Sequence, residues 1–108
     1  MPISLRDTLA RYFTAASAHD PEAMSALFAS AAVVRDEGRE HRGLAAIRRW
    51  MHETFEKYDY TVEPQAFEER GGKSVVTGLV SGAFPGSPVS IRHEFTLEDG
   101  KITRLEIG

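Results

Sequence analysis

A carboxylate, a phenol and an imidazole held in poorly solvated surroundings can move a proton between them and a small molecule, and Asp36, Tyr12 and His93 are among the residues of those types here. By strand alternation His93 shares a face with Ile91 and Phe95, while Arg92 and Glu94 take the other. A histidine between two apolar neighbours is unusual on a solvated face. It reads either as a hydrogen-bonded core residue or as a group that orients or protonates a substrate, and an ordinary pKa near ~6.5 suits both acid and base work at neutrality. Tyr12 lies on an apolar helical stripe. It is either a packed aromatic with a satisfied hydroxyl or a pocket donor, and in both readings the ring faces inward. Asp36 opens Asp36-Glu37-Gly38-Arg39, which is good β-turn chemistry with Asp in the first position. The alternative is a pocket carboxylate, whose pKa would be raised by poor solvation. Alternation groups Asp36 with Val34 and against Val33 and Arg35, without revealing which face is inward.

Other chemistries find no support. His19, His41 and His52 are scattered, with no His-x-His or His-x-x-x-His spacing, so no metal site is expected. There is no Gly-x-Gly-x-x-Gly, phosphate loop or Gly-x-Ser-x-Gly elbow, and no cofactor is expected. The absence of cysteine removes disulfides, thiolate ligands and thiol nucleophiles, and fits a reducing compartment. Trp50, Met51 and Phe55 form a helical stripe that is either plain core or pocket wall. Trp50, Phe28, Phe55 and Phe95 are the aromatic residues expected to line a substrate pocket.

Positioning these groups falls to a helical front and a strand-rich back. Ser4 can cap a first helix whose stripe is Leu5, Leu9, Tyr12, Phe13 and Ala16, ending near His19. Asp20-Pro21 then restarts the chain, with Asp as N-cap and Pro at the first helical position. Met24, Leu27 and Phe28 face inward from this short second helix. Ala32 to Arg35 reads as a short strand, and Gly43 precedes a third helix with Leu44, Ile47, Trp50, Met51 and Phe55 as its stripe. From Tyr58 the period becomes two, through Tyr60 and Val62. Pro64 limits that strand to an edge, a bulge or its end. Gly71-Gly72, Pro85-Gly86-Ser87-Pro88 and Glu98-Asp99-Gly100-Lys101 are turns joining strands Ser74 to Phe84, Val89 to Leu97 and Ile102 to Ile107 into an antiparallel meander. Gly78 and Gly82 inside a strand mark a bend or bulge.

The whole fits one α+β domain over residues 1–108, a length that supports one core. Apolar residues at 42% and charged residues at 27% argue against extensive disorder. A net charge of -3 gives no footprint for nucleic acid; Arg35, Arg39, Arg42, Arg48 and Arg49 are interrupted by Asp36, Glu37 and Glu40 and read as a solvated surface. No apolar run approaches the ~18 residues of a membrane span. Met1 to Ser4 lead straight into a charged amphipathic pattern, so the expected address is cytoplasmic.

The element order, with Arg11-Tyr12-Phe13, Asp20-Pro21-Glu22 to Ala29, Gly43-Leu44-Ala45-Ala46-Ile47 and Phe95 to Ile102, resembles the NTF2-like superfamily and its SnoaL-like and ketosteroid-isomerase-like members. That resemblance implies a cone: a strongly curved, mostly antiparallel sheet wrapped by three N-terminal helices around a largely apolar pocket. In its isomerase-like branch a carboxylate moves a proton beside a carbonyl, while a tyrosine and a late-strand acid hold the oxyanion. Matched by motif, the base falls on Asp36, the tyrosine on Tyr12 and the acid position on His93. The last departs from the pattern, since a neutral histidine is a weaker donor than a buried acid. The implied function is cofactor-free proton transfer on a small apolar carbonyl compound, by isomerisation, aldol cyclisation or dehydration. The alternatives are a non-catalytic ligand-binding or dimerisation module, or epoxide opening, which needs a water-activating carboxylate, a second acid and an arginine. A homodimer through the outer sheet face is expected, with Val76, Val80, Thr96 and the Arg92/Glu94 pair on that face.

Overall fold

The computed structural model describes residues 6–108, in the order α1 (Asp7–Ser17), α2 (Pro21–Ser25), β1 (Phe28–Asp36), β2 (Arg39–Arg42), α3 (Gly43–Tyr58), β3 (Thr61–Arg70), β4 (Lys73–Ser81), β5 (Val89–Glu98) and β6 (Lys101–Ile107). All six strands join one sheet in the order β2-β1-β6-β5-β4-β3. Every pairing is antiparallel except β1 with β6. The class is therefore α+β with a mostly antiparallel sheet, as the alternating C-terminal half implies.

Ser4 and Leu5, expected at the start of α1, lie outside the described residues. The helix carries Asp7 in its first turn, where a carboxylate complements the unpaired N–H groups. Asp20 caps α2 by accepting the Ala23 N–H at 3.1 Å, with Pro21 at the first helical position. Phe28 does not belong to that helix; it opens β1, which is longer than its apolar segment suggests because it pairs with β6 from Phe28↔Ile102 onward. Tyr58 likewise ends α3 rather than opening a strand. Asp59 stops the helix in a left-handed conformation at φ 45°, which short polar side chains tolerate, and β3 starts two residues later.

Pro64 sits on β3, an edge strand, next to a register shift between Pro64 and Ala66; both the edge and the bulge options hold at once. Ser17 of α1 covers part of that edge. Its hydroxyl donates to the Val62 carbonyl and accepts the Val62 N–H, each at 3.0 Å. Gly78 lies within β4, whereas Gly82 lies just beyond it, where the chain crosses the α3–β3 connection and Ala83 N–H donates to the Tyr58 carbonyl at 2.7 Å.

The core lies between the helices and the concave side of the sheet, around Leu9, Phe13, Met24, Val34, Ile47, Met51, Val76, Phe95, Ile102 and Leu105. This corrects the expected outer face. Val76 is fully buried in that core and Val80 packs against it, so the inward set on β4 is Val76, Gly78 and Val80. Alternation then turns Thr77 and Leu79 outward, with Arg92, Glu94 and Thr96 of β5, while Val75 on the same side is only 4% exposed. The outer face also carries ion pairs. Arg104 reaches Glu106 at 2.9 Å and Glu40 at 3.8 Å, and Glu40 also meets Arg42 at 2.7 Å and Arg35 at 3.9 Å. Among the described residues no helix is long and apolar enough to cross a membrane.

Candidate functional site

Between the helices and the concave sheet face lies a cavity of about 380 Å³, and Tyr12, Asp36 and His93 all line it. They arrive from α1, β1 and β5 respectively.

Asp36 is the last residue of β1 and pairs with Arg39, while Glu37 and Gly38 form the two-residue loop with φ of 54° and 74°. Two successive left-handed residues make the tight hairpin that suits strand twist, and glycine takes the second without a Cβ penalty. The turn thus rests on Glu37-Gly38 and leaves Asp36 in the strand. Alternation places Asp36 with the buried Ala32 and Val34, facing the cavity, and Arg35 on the far side. Its Oδ2 accepts the Trp50 indole N–H at 3.0 Å. Burial pushes the carboxyl pKa up, with the neighbouring Glu37 adding to the shift and the Trp50 hydrogen bond opposing it.

Tyr12 is 2% exposed, with its ring edge-on to Phe13 and Phe95 at 5.1 Å each. Among the described residues its hydroxyl has no hydrogen-bond partner, and no buried side-chain polar atom is left orphaned. The hydroxyl therefore opens to the cavity. Burial first, and then Tyr60 and Asp36, hold its pKa well above the usual phenol value, so it stays protonated and remains a donor.

His93 is 5% exposed, edge-on to Phe13 at 5.3 Å. Gly78 on the adjacent strand lies beside the ring: a Cβ there would touch His93 Cε1 at an ordinary 3.4 Å but overlap Val62 Cγ2 at 2.7 Å. The ring's Nδ1 lies 3.0 Å from the Ile91 carbonyl, and a carbonyl only accepts, so the proton is on Nδ1 and Nε2 carries the lone pair. Burial depresses the pKa to about 4, keeping the ring neutral at physiological pH. The donor role that the resemblance gives to His93 does not fit this tautomer; the ring offers an acceptor instead.

Trp50 lines the cavity. Phe28 and Phe95 do not; they are 3% and 0% exposed and pack edge-on to Tyr12 in the core. Phe55 is also core, stacked on His19 at 4.7 Å. In their place Tyr58, Tyr60 and Phe84 supply aromatic wall, with Val89 and Ile91 from β5. The i, i+2 spacing of Tyr58 and Tyr60 was the available signal, although a helix cap rather than a strand turns both toward the cavity. At the mouth, the Tyr58 hydroxyl donates to Glu37 Oε2 at 2.6 Å and ties the β1–β2 turn to the end of α3. Among the described residues no group of three or more His, Asp or Glu side chains could hold a metal ion.

The SnoaL-like domain family matches residues 9–105. A candidate polyketide cyclase from Sinorhizobium meliloti superposes with a TM-score of 0.92 at 45% identity, covering 96% of this chain and 95% of that one. A protein of ketosteroid-isomerase-like fold from Catenulispora acidiphila, solved with trimethylamine, gives 0.84 at 17% identity, covering 97% and 86%. SalBIII, an epoxide hydrolase/cyclase-like enzyme in pyran ring formation of the polyether salinomycin, gives 0.81 at 21% identity, covering 94% and 86%. No curated protein matches the chain by sequence.

Proposed function

The chain belongs to the SnoaL-like domain family of the NTF2-like superfamily, and from that premise we propose that it is a cofactor-free enzyme of the isomerase or cyclase kind acting on a small apolar carbonyl compound. One observation carries the reading: Tyr12, Asp36 and His93, each with an independent structural explanation, come from three elements to one cavity. Asp36 takes a proton from the carbon beside the carbonyl. Negative charge then develops on the carbonyl oxygen, and the Tyr12 hydroxyl, with no partner among the described residues, donates to it. The raised pKa of Asp36 brings it closer to the pKa of a neutral-pH base than an exposed aspartate. Trp50 fixes the carboxylate through Oδ2 and leaves Oδ1 for the proton. His93 accepts a hydrogen bond from a substrate hydroxyl and thereby orients it. Returning the proton to a second carbon gives isomerisation; attack of the enolate on a second carbonyl gives aldol closure. Epoxide opening is less well supported, because no arginine lines the cavity among the described residues.

Exchange of α-protons for deuterium tests this without knowledge of the product. A panel of small cyclic and aromatic ketones in D2O, followed by NMR, should show enzyme-dependent exchange that Asp36→Asn abolishes. No exchange with any ketone, together with retained ligand binding, would leave the protein as a binding module.

The assembly we infer is a homodimer through the outer sheet face, where the half-buried Thr77, Leu79 and Thr96 interrupt the ion pairs. An interface of standard size, ~1,600 Å² in total, is expected. Sedimentation of a monomer at micromolar concentration would count against it.

A further inference from the structure

The cavity walls have a composition that proton transfer alone does not require. Trp50, Tyr58, Tyr60 and Phe84 supply aromatic surface, and Asp36 and Glu37 supply two carboxylates. Among the described residues no lysine or arginine lines the space. Asp36 has only neutral donors, the Trp50 indole and the Glu37 backbone, and among the described residues it forms no ion pair. Its nearest charged neighbour on the same turn is Glu37, of like sign. Glu37 is matched only outside the cavity, by Lys57 Nζ at 3.8 Å. That same ammonium lies 5.0 Å over the Tyr58 ring, so the mouth already shows a cation held by one of these aromatics and one of these carboxylates. Aromatic rings attract cations through their negative faces, and the attraction strengthens when water is excluded.

We propose that the cavity binds small alkylammonium ions, the aromatic walls taking the methyl or methylene groups and Asp36 supplying the counter-charge. A volume of about 380 Å³ holds a trimethylalkylammonium group with a short tail. A quaternary nitrogen is better suited than a primary amine, because it needs no hydrogen-bond acceptors and spreads its charge over carbons that the aromatic walls can contact. The preference concerns binding alone and stands apart from the proton transfer above, since it calls for no reacting carbonyl.

Choline and its uncharged isostere 3,3-dimethylbutan-1-ol test this, because they differ in the charged nitrogen and little else. Dissociation constants from NMR titration or calorimetry should favour choline by ~10-fold or more at neutral pH. Asp36→Asn should bring the two within about 3-fold while the isostere keeps its affinity, which also reports that the cavity is intact. Phe84→Ala should weaken both ligands. Equal affinities in the unmodified protein overturn the proposal, and so does a choline preference that survives Asp36→Asn undiminished. Because both probes are inert, this result is independent of whether ketones exchange.

Discussion

The two faces of the sheet handle charge in opposite ways. On the outer face, carboxylates and guanidinium groups satisfy one another: Glu40 meets Arg35, Arg42 and Arg104, and Arg104 also holds Glu106. On the inner face, Asp36 and His93 have no counter-ion among the described residues; their hydrogen-bond partners are neutral, the Trp50 indole and Glu37 backbone for Asp36 and the Ile91 and Val76 backbone for His93. Burial drives both toward their neutral forms, raising the acid and lowering the base. Exposed pairs in water stabilise little. A buried group whose partners are all neutral keeps its charge unmatched, and that unmatched polarity is what a ligand meets.

Breaking the inner face should therefore cost far more than breaking the outer one. The largest effect belongs to Asp36→Asn, which should lower deuterium exchange by ~10²- to 10⁴-fold, as for loss of a general base. An amide oxygen still accepts from Trp50, so the thermal midpoint should stay nearly unchanged, and calorimetry beside the kinetics separates the two.

His93 comes next, through acid stability. Its folded pKa of about 4 lies below the ordinary 6.5, so its contribution is complete above pH 6.5 and is lost as pH falls toward 4. The shift corresponds to on the order of 3 kcal/mol. Asp36, with a raised pKa, acts with the opposite sign, and urea unfolding is best compared in an Asp36→Asn background. There, His93→Phe should flatten the decline between pH 6.5 and 4; an unchanged slope assigns the acid sensitivity elsewhere.

Gly78→Ala should cost about 1–3 kcal/mol, because the new methyl overlaps Val62 Cγ2, and it also comes into contact with the His93 ring. Denaturant midpoints measure it, and the His93 imidazole resonances should move in the same variant. At the small end, Arg104→Ala on the outer face should change stability by less than about 1 kcal/mol and leave exchange untouched. A large loss there would erase the distinction between the faces.

Much of this was readable from residue types. Asp20-Pro21, the Asp99-Gly100 turn and the alternation of Ile91, His93 and Phe95 express local rules, and local rules survive folding. Failures came where a three-dimensional neighbour decides. Val76 and Val75 are both apolar, so alternation alone cannot say which is inward; the packing of α1 and α3 does. Phe28 and Phe95 look like pocket aromatics, but both pack against the Tyr12 ring in the core. The tautomer of His93 depends on a backbone carbonyl two residues away, and no side-chain pattern encodes that. Asp36 was decided by the Glu37-Gly38 loop, whose two left-handed residues move the turn one position beyond it.

The Ser17 hydroxyl has a consequence for how copies of this protein meet. A free sheet edge invites a strand from another molecule, and such pairing can propagate without limit. On β3, Ser17 occupies both backbone groups of Val62, and two residues later Pro64 has no N–H to give. The start of that edge is thus closed to intermolecular pairing by a helix of the same chain. Replacing Ser17 with alanine should expose a short docking rail and raise the tendency to form fibrils during long incubation, with little change in the cavity.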